Sequence, residues 1–206
     1  VTAVKTAGRV TFVAMGAPRP AATRGWKSRV EQPPTGGGDE TSQYAYWLMQ
    51  AQPRWHVLNM GVNGERTDQI AGRFERDVID QSPRVVVLIA GVNDVYQGRD
   101  VQHVKDQLVS MYDRAKGTGI PVVAGTIVPY NTATAEQNRK MHEINAWIRQ
   151  RAAEDPNVSF VDTRAAAADL KNPHRPFESP DGLHPSPAGY RRMAEAIEPV
   201  LQKLVK

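Results

Sequence analysis

What most constrains this chain is an alternation repeated along its length, in which short apolar runs rich in β-branched residues are separated by stretches of helical period. A strand wetted on one face alternates apolar with polar residues, whereas a strand covered on both faces reads as a continuous apolar run. Runs of the second kind predict five strands: Arg9 to Met15, Trp55 to Met60, Val85 to Ala90, Val122 to Val128 and Val158 to Asp162. Between them Ile70/Phe74/Val78, Val101/Val104/Leu108/Met111 and Met141/Ile144/Ile148 recur at helical spacing, and Gly117 is placed to end its helix. A last helix uses Tyr190, Met193, Ile197, Leu201 and Leu204, and Pro199 inside it predicts a kink or an early end. The pattern is that of an α/β fold, a parallel sheet with helices on both faces.

The 206 residues suffice for one domain, expected over 1–206, with a core that needs neither disulfide nor structural metal. Cysteine is absent, which excludes thiol nucleophiles and thiolate metal sites but leaves the compartment open. Val1 in place of an initiator Met is compatible with a removed leader, so export is left open too. No apolar run approaches the roughly 18 residues of a membrane span. The net charge of +4 raises the question of nucleic acid. Yet Arg73, Arg76, Arg139, Lys140, Arg191 and Arg192 fall among Glu75, Asp77, Glu136 and Glu195, which predicts solvated helix faces rather than a phosphate-binding surface. Glu31 to Ser42, with Pro33-Pro34 and Gly36-Gly37-Gly38, reads as a surface loop.

In open α/β sheets ligands bind beyond the carboxyl ends of the strands. After the second strand comes Asn59-Met-Gly61-Val-Asn-Gly64, where Gly64 can bring a backbone N–H to a ligand; the alternative is a plain strand-to-helix turn with Thr67 as N-cap. After the third comes Gly91-Val-Asn93-Asp94, whose Asn93 amide can donate to a developing oxyanion, or can simply serve a polar turn. Asp181-Gly-Leu-His184 follows the fifth. There a carboxylate can orient an imidazole that acts as base, although Ser186-Pro187 also fits a helix start. His56, His103, His142 and His174 lack a matched partner and read as surface or packing residues.

In this order the three blocks resemble the SGNH/GDSL hydrolase superfamily across nearly the whole chain. The resemblance implies a flavodoxin-like three-layer α/β/α sandwich and hydrolysis of carboxylic esters, a small ester or an acylated sugar, with no cofactor and no metal. It carries Gly64 and Asn93 over as oxyanion donors, His184 as base and Asp181 as the residue that orients it. The chain departs from the family at the first block, where Gly-Asp-Ser supplies the nucleophile. Here Met15-Gly-Ala-Pro18-Arg-Pro-Ala21-Ala-Thr23-Arg-Gly-Trp26 puts Pro18 or Ala21 in that place, depending on which end is aligned. Neither side chain can attack a carbonyl, and proline lacks the backbone N–H that the nucleophile residue adds to an oxyanion hole. Three explanations stand: a short out-of-frame stretch of GC-rich codons over Gly16 to Ala22, a substitute nucleophile at Thr23 or else Ser28, or a protein that binds an ester or carbohydrate without cleaving it. A nucleotide-binding flavodoxin-like module shares the architecture, but no Gly-x-Gly-x-x-Gly or P-loop supports it.

Overall fold

A computed structural model describes residues 10–16 and 40–206. Pro18, Ala21, Thr23, Ser28 and the glycines of the Gly36 loop lie outside the described residues. The strands are β1 (Val10–Gly16), β2 (Trp55–Asn59), β3 (Val85–Ile89), β4 (Val122–Gly125) and β5 (Val158–Val161), all parallel, in the order β2-β1-β3-β4-β5. This is the flavodoxin-like order. It reverses direction between β1 and β3, and a crevice opens there at the carboxyl ends.

Strand side chains alternate between the two faces as the pleat requires. Val13, Met15, Val86, Leu88, Val122 and Ala124 point to one face. There they meet α2 (Thr67–Gly72), α3 (Phe74–Asp77), α4 (Val92–Tyr96), α5 (Val101–Gly117) and α6 (Ala135–Glu154). Phe12, Ala14, Val57, Val85, Val87 and Val123 point to the other face, against α1 (Tyr44–Ala51), α7 (Thr163–Ala167) and α8 (Pro187–Leu204). Of the expected helical stripes, Ile70, Phe74 and Val78, Val104, Leu108 and Met111, and Met141, Ile144 and Ile148 are all essentially inaccessible, whereas Val101, in the first turn of α5, is only partly buried.

Two ends differ from expectation for definite reasons. The apolar run Val122 to Val128 leaves the ladder after Gly125, because the N–H and C=O of Ile127 pair with the buried side chain of Asn145, at 2.7 and 3.1 Å. The run stays apolar because it stays buried, not because it stays a strand. Asp162, expected to end β5, instead caps α7 by accepting from the Ala165 N–H.

Pro199 does not shorten α8, which runs on to Leu204. Its missing N–H faces the Glu195 carbonyl one turn back, and the apolar stripe Tyr190, Met193, Ile197 and Leu201 holds the helix on the sheet across that gap. Ser186 starts the helix by accepting from the Gly189 N–H, with Pro187 in the first position, as the sequence suggests. At its carboxyl end β1 closes on Gly16, where a Cβ would stand 1.8 Å from the Ile89 carbonyl oxygen. Only glycine lets the two central strands approach so closely there.

The expected solvated helix faces carry Lys140–Glu136 and Arg191–Glu195 pairs one turn apart. Arg73 is the exception. Its side chain is only 12% exposed and is held between Glu65, at 2.6 Å, and Asp77. No helix of the described residues is long and apolar enough to cross a membrane.

Candidate active site

The site begins in the turn Asp181 to His184. Asp181 Oδ1 accepts from the backbone N–H groups of Leu183 and His184, at 2.9 and 2.8 Å, which folds the turn around the carboxylate. Gly182 stands at φ +74°, and its carbonyl accepts from the Asn131 N–H at 2.6 Å, tying the turn to the loop after β4. Ser179 donates to the His184 carbonyl from the opposite side. The second carboxylate oxygen, Oδ2, meets His184 Nδ1 at 2.7 Å. An ionised carboxylate only accepts, so the ring proton sits on Nδ1 and Nε2 is left with a free lone pair. Burial tends to raise the Asp181 pKa, but the His184 ring and the two N–H groups together outweigh it and bring the carboxyl down to about 2. Asp181 is therefore an anion at every working pH.

Gly64 and Asn93 are brought to the same place from two other strand ends. The turn carrying Gly64 (φ +78°) is stitched to α4: Asn93 Nδ2 donates to the Glu65 carbonyl at 2.9 Å and Gln97 reaches the Gly64 carbonyl. Among the described residues, that leaves the second Asn93 amide hydrogen and the Gly64 N–H without an acceptor. Both residues line one pocket of about 280 Å³ together with His184. The rest of its wall is mainly apolar, from Val92, Tyr96, Val128, Leu183 and Met193, and two buried tyrosines, Tyr130 and Tyr190, complete it.

Thr67 is not the N-cap of α2, a place taken by Arg66. Its hydroxyl and its N–H both go to the buried carboxylate of Asp94, at 2.7 and 2.9 Å, so the residue after Asn93 satisfies the first turn of the helix after Gly64. Burial raises the Asp94 pKa, and the two bonds from Thr67 oppose that rise. Asp68, Asp94 and His103 offer ligand atoms within 4.8 Å of one another. Asp94 is already committed to Thr67, and Asp68 is held by both ends of the Arg66 guanidinium, so the cluster works as support for the Asn93 loop.

Sequence reasoning missed the tyrosines. Tyr190 reads in the sequence only as part of the core face of α8, yet it lines the pocket with a buried hydroxyl that has no hydrogen-bond partner among the described residues. The Tyr130 hydroxyl is in the same state, and burial first and Tyr96 second push its pKa up to about 12. A tyrosine on a helical apolar stripe gives no signal that distinguishes a wall of a pocket from a wall of a core. Of the other histidines, His142 and His174 meet edge to face at 5.6 Å, and His103 Nε2 is buried with no hydrogen-bond partner among the described residues.

The chain is similar to known proteins in sequence and fold. An acetylxylan esterase of Geobacillus stearothermophilus is 32% identical over 153 residues, covering 68% of this chain and 69% of that protein. The structure of a catalytic mutant of an acetylxylan esterase from the same organism superposes with a TM-score of 0.68 at 25% identity, over 95% of this chain and 94% of that one. A GDSL-like lipase from Bacteroides thetaiotaomicron has the same fold, with a TM-score of 0.73 at 22% identity over 95% of this chain and 89% of its own. The profile of the GDSL-like Lipase/Acylhydrolase family matches residues 22–192, and the chain belongs to that family of esterase-type hydrolases.

Proposed function

We propose that the pocket holds a carboxylic ester, an acylated sugar or another small ester, with its carbonyl oxygen toward Gly64 and Asn93 and its carbonyl carbon facing His184. The observation that carries this reading is the 2.7 Å bond from His184 to Asp181 at the wall of the pocket that Gly64 and Asn93 also line. In the catalytic cycle a hydroxyl oxygen attacks the carbonyl carbon while Nε2 of His184 takes its proton. The tetrahedral oxyanion rests on the Gly64 N–H and the Asn93 amide, and on collapse the leaving alkoxide takes the proton back from His184. Water then repeats the sequence and releases the acid. Asp181 keeps Nδ1 protonated and stabilises the imidazolium. The acetylxylan esterase relative supports acetylated carbohydrate as the first substrate class to try.

The first hydroxyl is the open part of this cycle. With Pro18 or Ala21 in the nucleophile's place, Thr23 is the candidate substitute. The specific observation of Pro18 and Ala21 also favours a second reading, in which the pocket binds an ester or carbohydrate without cleaving it. Hydrolysis of p-nitrophenyl acetate separates the two. Turnover that falls by about 10³-fold or more in His184→Ala supports catalysis, and loss in Thr23→Ala assigns the hydroxyl. A wild-type protein with no turnover, in which Ala21→Ser or Pro18→Ser restores it, identifies a binding pocket descended from an esterase. Turnover unchanged in His184→Ala would overturn the assignment of the base.

A further inference from the structure

A second pocket, of about 330 Å³, opens at the carboxyl ends of β4 and β5, marked by Thr126 and Asp162, and shares no lining residue with the first. Part of its wall is Arg164, which is 94% buried by area, at 6% exposure. Its guanidinium donates to Asn138 Oδ1 at 3.2 Å and lies against Met141 Sδ. Among the described residues it has no ion pair. A buried guanidinium is ordinarily matched by a carboxylate, because removing the charge from water is costly without one. The one carboxylate in the pocket, Asp162, is already engaged by the Thr126 hydroxyl, the Ala165 N–H and Arg149. Arg149 itself stacks on Phe160 at the same wall. Asp162 acts on Arg164 through space but makes no hydrogen bond or ion pair with it, so the charge of the Arg164 guanidinium has no direct countercharge among the described residues.

The imidazoles add to it. His142 lines the pocket, and the 168–177 segment brings His174 against its ring edge to face. That segment is itself braced by backbone bonds at Asp169, Asn172 and Phe177, so His174 is held in place rather than left on a free loop. We propose that this pocket is a binding site for a small oxyanion, a carboxylate or a phosphate group, held by Arg164 with His142 and His174 at its edge. A bound anion supplies the missing countercharge of Arg164 and accepts from the imidazoles when they are protonated. Supporting this, the His142 pKa is lowered by burial first and then by Arg164 and His174, charges that a bound anion would offset. Arg164 from α7 and His174, in ring contact at the edge of the pocket, act on His142, while Arg149 on its own helix and Asp162 just after β5 line the same pocket. The site is independent of the ester reading, and its test needs no turnover.

The imidazole C–H resonances of His142 and His174 are followed by NMR as a function of pH, with inorganic phosphate, with glucuronate, and with sodium chloride at matched ionic strength. Phosphate or glucuronate is expected to raise the His142 pKa by about half a unit or more and to saturate, whereas chloride screens without saturating. A response to phosphate alone or to glucuronate alone names the source of the oxyanion. Arg164→Gln is expected to abolish the saturable response. Because Arg164 is buried and its loss can unfold the protein, His174→Gln and Arg149→Gln, both at exposed positions, are titrated with phosphate by calorimetry below the histidine range. Weakening of about threefold or more in His174→Gln is expected. Equal responses to all three salts, or a phosphate affinity unchanged both in His174→Gln and in a folded Arg164→Gln, overturns the proposal.

Discussion

Asp181 shows how one carboxylate can hold a turn and a base at once. Its two oxygens have separate tasks, Oδ1 closing the turn on two N–H groups and Oδ2 orienting the ring. A carboxyl whose folded pKa is depressed stabilises the fold above its unfolded pKa, near 3.9, and loses that contribution as the pH falls through the folded value, here about 2. Wild type is therefore expected to exceed Asp181→Asn in urea-unfolding stability at pH 5, by roughly 1 kcal/mol once partial exposure is allowed for. The gap should close between pH 4 and 2, and a gap independent of pH would show that the carboxylate's charge is not what holds the turn. Asp94 differs in being wholly buried and in accepting twice from one residue. In Asp94→Asn the amide oxygen can keep the Thr67 N–H, but the NH2 must donate to the Thr67 hydroxyl, whose own proton and the second amide hydrogen then lose their buried acceptor, at a cost of about 1–3 kcal/mol. Thermal unfolding measures the loss. The Asn93 side-chain amide resonances should broaden or shift with it, whereas a purely local defect would leave them in place.

At the scale of elements, α8 joins the sheet to the site. Its N-cap, Ser186, stands two residues after His184, and its apolar stripe covers one face of the strands. Ser186→Ala removes the cap and is expected to cost about 1 kcal/mol. The same change should leave the Asp181–His184 bond intact, seen as an unshifted Nδ1–H resonance. Pro199→Ala acts in the opposite direction: it restores a donor to the Glu195 carbonyl and relieves the ring clash, so stability should rise by about 1 kcal/mol, the full interior penalty being partly offset by the looser unfolded chain. A lower urea midpoint for Pro199→Ala would mean that the helix is built around the proline. The sequence makes these elements legible unevenly. Helical stripes such as Val104/Leu108/Met111 identify themselves because period 3.6 is a property of many residues together. The end of β4 does not, because Ile127 and Val128 are apolar for reasons of burial, and the Asn145 side chain that replaces their ladder partner lies 18 residues away. The same limit applies to the site. Asp181, His184, Gly64 and Asn93 stand in short blocks at strand ends and can be picked out. Tyr190, and the transfer of Thr67 from its own helix to Asp94, depend on packing between elements and leave no local mark.

For the molecule as a whole, the five strands are shared by two helical layers, so neither layer can lose its packing without exposing the strands that serve the other. The parallel order also places all three blocks of the candidate site at one end of that sheet, so the integrity of the site follows the integrity of the whole. This predicts that the two layers unfold together. Trp55 reports on one layer, in edge contact with Phe12, and Trp147 on the other, stacked on Tyr112. Two variants, each with the remaining tryptophans changed to phenylalanine, keep Trp55 alone or Trp147 alone. In each the fluorescence midpoint in urea is expected to coincide with the midpoint followed by far-ultraviolet circular dichroism, as a single cooperative transition requires. If Trp147 changed environment well before the loss of secondary structure while Trp55 did not, the α5–α6 layer would be separately meltable. The Asn93 arm of the site would then be lost at a lower urea concentration than the Asp181–His184 arm, because Val104 and Ile127 pack in the Trp147 layer while α8 packs with Trp55.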